Sequence, residues 1–229
     1  MDELLDNPLH HGLATVHASL AIRHGRAARY PFDLAPMASL DDPADPAAWA
    51  DLATLLGPGG RVALFTADPT DLPAGITALR RQAIEQMIAP ETLPPLGVAP
   101  AGLVDLGIDD AADVLDLAKR TEPGPMMPRT VTMGRYFGIR SPAGALFAMA
   151  GERMATSHHV EISGVCTDPA ARGRGYAADL VTRLATASAA RGQRAFLHVK
   201  TDNDSARRVY LRLGFTVRRI MHLTVIQVA

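Results

Sequence analysis

Thr167-Asp168-Pro169-Ala170-Ala171-Arg172-Gly173-Arg174-Gly175-Tyr176-Ala177 is the stretch on which the reading turns. Just before it, Val160 to Thr167 (VEISGVCT) reads as a strand. Asp168-Pro169 ends that strand, because proline has no amide to give a ladder. Just after it, Gly175 to Ala190 has helical spacing, with Ala177, Leu180, Val181, Leu184 and Ala187 on one face. Gly192 stands where a helix-ending left-handed residue belongs. The glycines therefore lie in a strand-to-helix turn, where they let the backbone bend sharply and approach a ligand. The first amides of a helix have no internal acceptor, and with the helix dipole they form an anion site. Arg172 and Arg174 add guanidinium charge suited to phosphate. The physics alone predicts a diphosphate cradle, with a plain surface turn bearing exposed arginines as the other reading. No Gly-Lys-Ser/Thr follows, so it is not a P-loop, and the dinucleotide fingerprint is incomplete.

Working outward, Arg194 to Val199 (RAFLHV) is a strand, and Asn203 to Leu213 is a helix closed by Gly214. Phe215 to Val228 supplies one or two further strands. Asn203, Ala206 and Tyr210 are spaced i, i+3 and i+7, so they share a helix face. At about 1.5 Å per residue, Asn203 and Tyr210 stand roughly 10 Å apart and can flank one elongated ligand. Read singly, Asn203 is a helix cap and Tyr210 a core aromatic with its hydroxyl at the surface.

Taken together, Arg172-x-x-Gly175-x-Ala177, a helix, a strand, and Asn203-x-x-Ala206-x-x-x-Tyr210-x-x-x-Gly214-Phe215 resemble the GNAT superfamily of N-acetyltransferases. The likeness covers roughly Val98 to Val228 and is sharpest from Glu161 to Phe215. It implies an α+β fold with a mixed, mostly antiparallel, splayed sheet flanked by helices. It also implies acetyl-CoA as co-substrate and a small-molecule or peptide amine as acceptor. The Val165-Cys166-Thr167 strand would pair its backbone with the pantetheine arm. The turn Arg172, Gly173, Arg174, Gly175, Tyr176 and Ala177 would hold the diphosphate. Asn203 would contact the arm, and Tyr210 would sit near the thioester sulfur as general acid. The sheet would part between this strand and Arg194 to Val199.

Direct attack requires a free-base amine. Neutralising a lysine-type amine at pH 7 costs on the order of 4–5 kcal/mol, but an α-amine only about 1 kcal/mol. Glu161, four residues before Val165, is the first candidate for the base, and Glu152 the next. His158 and His159 form a turn pair with no third metal ligand at a recognisable spacing, so no metal is expected. Cys166 reads as a buried, inert thiol, with an acyl-cysteine route as the minor alternative. Met126, Met127 and Met133 either line the acceptor pocket or pack in the core. Two other functions compete with catalysis. One is an acyl-CoA sensor that performs no chemistry; the other is a nucleotide or phosphate-ester binder using only the Arg172 turn.

The rest of the chain sets the frame. It has 229 residues, 48% of them apolar, with a formal net charge of −1, which favours neither nucleic acid nor an acidic surface. A single cysteine excludes an internal disulfide. No secretory leader or membrane-length apolar run is visible, and a cytoplasmic protein with no membrane partner is expected. Residues 98–229 predict the order β-α-β-β-β-α-β-α-β, including a helix from Asp109 to Lys119 with Ala112, Leu115 and Ala118 inward. Residues 1–97, rich in proline, read as a separate accessory α/β region. It contains a helix over Leu13 to Ile22, another over Pro46 to Leu56 and a strand at Arg61 to Thr66. Arg80 to Ile88 could be strand or helix, and Pro90 to Pro100 is the linker candidate. Arg23, His24, Arg26 and Arg29 read as a solvated helix end. No internal repeat is visible in the sequence. The accessory region has three possible roles: capping the acceptor site, supporting a homodimer, or standing as a decayed copy of the same fold.

Overall fold

A computed structural model describes residues 2–229. In chain order it holds α1 (Pro8–Ala14), β1 (Ile22–His24), β2 (Ala27–Arg29), β3 (Ala38–Leu40), α2 (Pro46–Leu56), β4 (Arg61–Thr66) and β5 (Ile76–Ile88). Then follow β6 (Leu103–Leu106), α3 (Ala111–Thr121), β7 (Tyr136–Arg140), β8 (Leu146–Ala155), β9 (His159–Thr167), α4 (Tyr176–Ala189), β10 (Arg194–Lys200), α5 (Asp204–Arg212) and β11 (Thr216–Val228). Eight strands form one sheet in the order β4-β11-β5-β10-β9-β8-β7-β6. Within it only β9 and β10 are parallel. β1, β2 and β3 make a small second sheet, tied to β4 by a parallel bridge between Met37 and Ala63. Among the described residues no helix is long and apolar enough to cross a membrane.

Strand alternation sends side chains to two faces of the large sheet. Leu180, Val181 and Leu184 of α4 and Tyr210 of α5 pack on one face against Ile139, Ala148, Ile162 and Leu197. The other face is covered by α3, through Val114, Leu117 and Ala118, and by the N-terminal segment, through Leu5, Leu9 and Leu13. Fully burying each such leucine is worth about 1.5–3 kcal/mol.

The order read for residues 98–229 is the order observed. Three other expectations are corrected. The first helix runs over Pro8–Ala14, not Leu13 to Ile22, because Asn7 caps it by accepting from the His10 amide and Pro8 opens it. In α3 the inward residues are Val114, Leu117 and Ala118, while Ala112 is exposed. Residues 1–97 are not separate: beside the small sheet of β1, β2 and β3 they supply β4 and β5 to the same sheet as β6 to β11. The central place of β5 decides its conformation. It pairs with β10 on one side and along its whole length with β11 on the other, so tertiary pairing overrides a mixed local propensity.

The arrangement also contains a repeat that the sequence conceals. β1-β2-β3 are antiparallel neighbours, β3 meets β4 in parallel, α2 lies between them in the chain, and β5 ends the half. β7-β8-β9, α4, β10 and β11 repeat that path, with β9 and β10 parallel. The two long final strands are exchanged. β11 pairs with β4 of the first half, and β5 pairs with β10 of the second.

Candidate active site

β9 and β10 are hydrogen-bonded neighbours only where His159, Val160 and Glu161 face Arg194, Ala195 and Phe196. Beyond that point β9 continues to Thr167 and β10 to Lys200 with no pairing between them. The facing edges of Ile162 to Thr167 and of Leu197 to Lys200 thus form the two arms of a V. A bulge in β9 sharpens the divergence. Ser163 faces Gly151 and Cys166 faces Met149, so β9 carries one more residue than β8 over this interval. Gly164 sits in the bulge at φ +63°, a left-handed conformation that favours glycine.

At the outer end of β9 the turn has the predicted form. Gly173 and Gly175 have φ +78° and +79° and open space where a Cβ would stand. The amides of Gly173 through Ala178 donate to no acceptor among the described residues. Arg172, Gly173, Arg174 and Gly175 are exposed, and Tyr176 and Ala177 half-buried. Neither arginine has an ion-pair partner among the described residues. Arg172 Nε donates to the Thr167 carbonyl at 3.4 Å, and the Arg174 guanidinium lies 6.0 Å from the Phe147 ring centre. Free amides, a helix N-terminus and two free guanidinium groups make a strong anion cradle. Asp168 braces it, accepting from the Ala170 amide at 2.9 Å and pairing with Arg120.

Tyr210 lies on the α4 face of the V in one cluster with Val165, Leu197 and Val199, from both arms. Burial, with a smaller effect of the Cys166 thiol, pushes its pKa above the ordinary phenol value, so it keeps its proton. Asn203 is the helix cap: its Oδ1 accepts from the Ala206 amide and the Ser205 hydroxyl, both at 3.1 Å. Only its NH₂ group remains for a ligand. Val165 and Thr167 lie on the open arm. Cys166 points to the α3 face among Leu117, Val131 and Met149, and burial raises its thiol to about 11. That is the inert thiol of the first reading.

Glu161 does not fit the role of base. It is 1% exposed, at the closed end of the V. Arg153 Nε and Nη2 donate to its two oxygens, both at 2.8 Å, and His198 Nδ1 lies 2.8 Å from Oε1. Burial alone would raise its pKa, but the charge of Arg153 and the bonds from His198 and Arg153 hold it at about 2. Gln86 holds the His198 ring in place. Its Oε1 accepts from Arg218 and its Nε2 donates to the Leu5 carbonyl. Gln86 Nε2 also lies 3.2 Å from His198 Nε2. On its other side the His198 ring meets Glu161 through Nδ1.

The other candidates are likewise engaged. Glu152 accepts from the Arg135 amide at 3.0 Å, from Ser188 at 3.3 Å and from Arg191 at 2.5 Å. His159 begins β9, at the far end from the open arms, and is held by Thr156 and Asp2. Met133 is a core residue of the N-terminal cluster, while Met126 and Met127 are half-buried. Met126 Sδ would lie 3.5 Å from a Cβ at Gly164. Tyr136 escaped the sequence reading. Its hydroxyl is buried without a partner among the described residues and would lie 4.0 Å from that same Cβ. The ring fits because Gly151 opposite has no side chain.

A putative acetyltransferase of the GNAT family from Novosphingobium aromaticivorans is 36% identical, covering 98% of both chains with a TM-score of 0.89. The chain belongs to the GNAT family of acetyltransferases. The FR47-like protein family model matches residues 136–223 of this GNAT chain, from β7 into β11. A GCN5-related N-acetyltransferase from Kribbella flavida shares the fold at 18% identity and a TM-score of 0.58, over 95% of this chain and 96% of its own. A Drosophila protein shares it at 16% identity and 0.60, over 89% and 73%. No curated protein matches. Acyl transfer is the chemistry that this family's fold supports.

Proposed function

We propose that this protein transfers the acetyl group of acetyl-CoA directly to an amine, in a ternary complex. The observation that carries the reading is the V between β9 and β10 with its unpaired edges. The anion cradle of residues 172–178 lies at its outer end. In this reading the diphosphate sits on the free amides and guanidinium groups. The pantetheine amides complete the strand ladder of Val165 to Thr167, which brings the thioester to the bulge at Gly164. A main-chain amide of the bulge stabilises the oxyanion, a contribution of roughly 3 kcal/mol. Tyr210 returns a proton to the leaving thiolate, whose pKa near 8.5 makes this help moderate.

The base is what the geometry redefines. Glu161 and Glu152 are both committed to arginines, so neither is free to neutralise a strongly basic ammonium. The acceptor we favour is therefore an amine of low pKa, an α-amine rather than a lysine-type one. We also place the protein in the cytoplasm, since its lone cysteine needs no oxidising compartment.

The test is thiol release from acetyl-CoA over a panel of α-amino and ω-amino acceptors at pH 7. Turnover concentrated in the α-amines supports the reading. CoA binding without turnover on any acceptor would replace it with the sensor. No affinity for CoA at all would end both.

A further inference from the structure

Three buried polar side-chain atoms lack a hydrogen-bond partner among the described residues: Arg29 Nε, the Ser39 hydroxyl and the Tyr136 hydroxyl. The first two belong to β2 and β3, in the small sheet. Tyr136 is the one at the acyl cleft, and it is 1% exposed. A bare buried hydroxyl is destabilising, and the great majority of such groups in native structures are satisfied. Packing does not account for the oxygen, because a phenylalanine would fill the same space.

Two glycines set where that hydroxyl ends. Tyr136 faces Gly151 across β7 and β8. A Cβ on Gly151 would stand 2.2 Å from Cδ1 and Cε1 of the tyrosine, so the ring lies directly over that residue. A Cβ on Gly164 would stand 3.8 Å from Cε1 and 4.0 Å from the hydroxyl oxygen. The side chain therefore runs from β7 across β8, and its oxygen ends beside the bulge of β9. Met126 Sδ lies nearest to that same point, at 3.5 Å. These are ordinary van der Waals distances, so a methyl-sized group fits over Gly164 without displacing the backbone. Met126 is half-buried, and its unbranched, flexible side chain can swing aside for a larger one.

Tyr136 and Tyr210 stand on opposite faces of the sheet. Tyr210 packs with Val165 on the α4 face, and Tyr136 with Leu117, Val131 and Cys166 on the α3 face. In the reading proposed above, the thioester lies at the bulge between them and Tyr210 serves the sulfur. The packed helices α4 and α5 occupy that side, which leaves the α3 face for the amine. An attacking amine must keep its lone pair for the carbonyl carbon, but it has N–H groups to give. A hydroxyl oxygen with free lone pairs can accept one. Burial pushes the Tyr136 pKa above the ordinary phenol value, so the group stays neutral and orients the amine without deprotonating it.

We propose that Tyr136 is an acceptor-binding residue: its hydroxyl oxygen accepts an N–H of the incoming neutral amine beside Gly164 and so aims the nitrogen lone pair at the thioester. This rests on the acetyl-transfer reading and extends it by naming the group that holds the acceptor.

Steady-state kinetics of Tyr136→Phe with the best α-amine acceptor of the wild type test this, beside CoA calorimetry and thermal unfolding. The acceptor KM should rise about tenfold, the loss of one hydrogen bond, while kcat and CoA affinity stay within about twofold. The melting temperature should rise by ~2–4 °C, because the bare hydroxyl is gone. A tyrosine with a purely structural role would not separate KM from kcat. An unchanged acceptor KM or a lowered melting temperature would overturn the proposal. A fall in kcat with KM held would also overturn it, assigning the hydroxyl to the acyl carbonyl, and a loss of CoA affinity would assign it to the cofactor. A wild type that acetylates no amine would end the acetyl-transfer reading and this proposal together. Normal wild-type turnover beside an unaffected Tyr136→Phe would end this proposal alone.

Discussion

At the scale of single residues, the carboxylate that looked like a catalyst is a structural charge. Glu161 and Arg153 are both buried, and removing one partner strands the other. Glu161→Gln should cost about 3–5 kcal/mol of stability in urea unfolding at pH 7. The pH dependence has a definite sign. The folded pKa, about 2, lies below the ordinary 4.5, so the contribution is complete above 4.5 and disappears as pH falls towards 2. The wild type should lose stability across that window and the variant should show a flatter slope there. Equal slopes would remove Glu161 from the account. Tyr210 makes the opposite case. On the proposed mechanism Tyr210→Phe keeps the ring and deletes only the proton donor, so kcat should fall about a hundredfold while CoA affinity holds. Unchanged kcat with weakened CoA affinity would make it a binding residue alone. Tyr210 was legible because its spacing from Asn203 and Gly214 follows helix geometry. Tyr136 was not, since nothing in Arg135-Tyr136-Phe137 tells which hydroxyl will be left bare.

At the scale of elements, the cleft depends on β9 leaving β10 after Glu161. Gly164 is the residue that bends it. A side chain there would hold the left-handed conformation at a cost of roughly 1–2 kcal/mol, although its methyl would meet only ordinary contacts at Met126 and Tyr136. Gly164→Ala should therefore lower the melting temperature and weaken CoA binding together, as the bulge straightens and the arm moves. Loss of stability with intact CoA affinity would show that the arm is held by other contacts. The turn that follows could be read almost completely from sequence, because proline, glycine and arginine each dictate a backbone or charge property at their own position. The fate of Glu161 could not, because it depends on Arg153 from β8 and His198 from β10.

At the scale of the whole molecule, the division expected at residue 97 dissolves. β10 and β11 flank β5, which comes from the N-terminal half, so a fragment of residues 98–229 would expose both edges where β5 belongs. Expressed alone, that fragment should show no cooperative unfolding transition, and co-expression with residues 1–97 should restore one. A stable, CoA-binding fragment would refute the interdependence. The sequence concealed this because the two halves share a path without sharing residues. The acidic turn after β3 and the basic turn after β9 occupy equivalent places with opposite charge. Strand exchange is a long-range property that no local window encodes.

That exchange dictates a timetable. β4 and one full edge of β5 find their strand partner in β11, which is synthesised after both. Until Thr216 and its successors are made, two hydrophobic strands of the nascent chain wait with open edges. The first half of this chain is thus completed by a strand of its second, and loss of β11 would undo what was synthesised first.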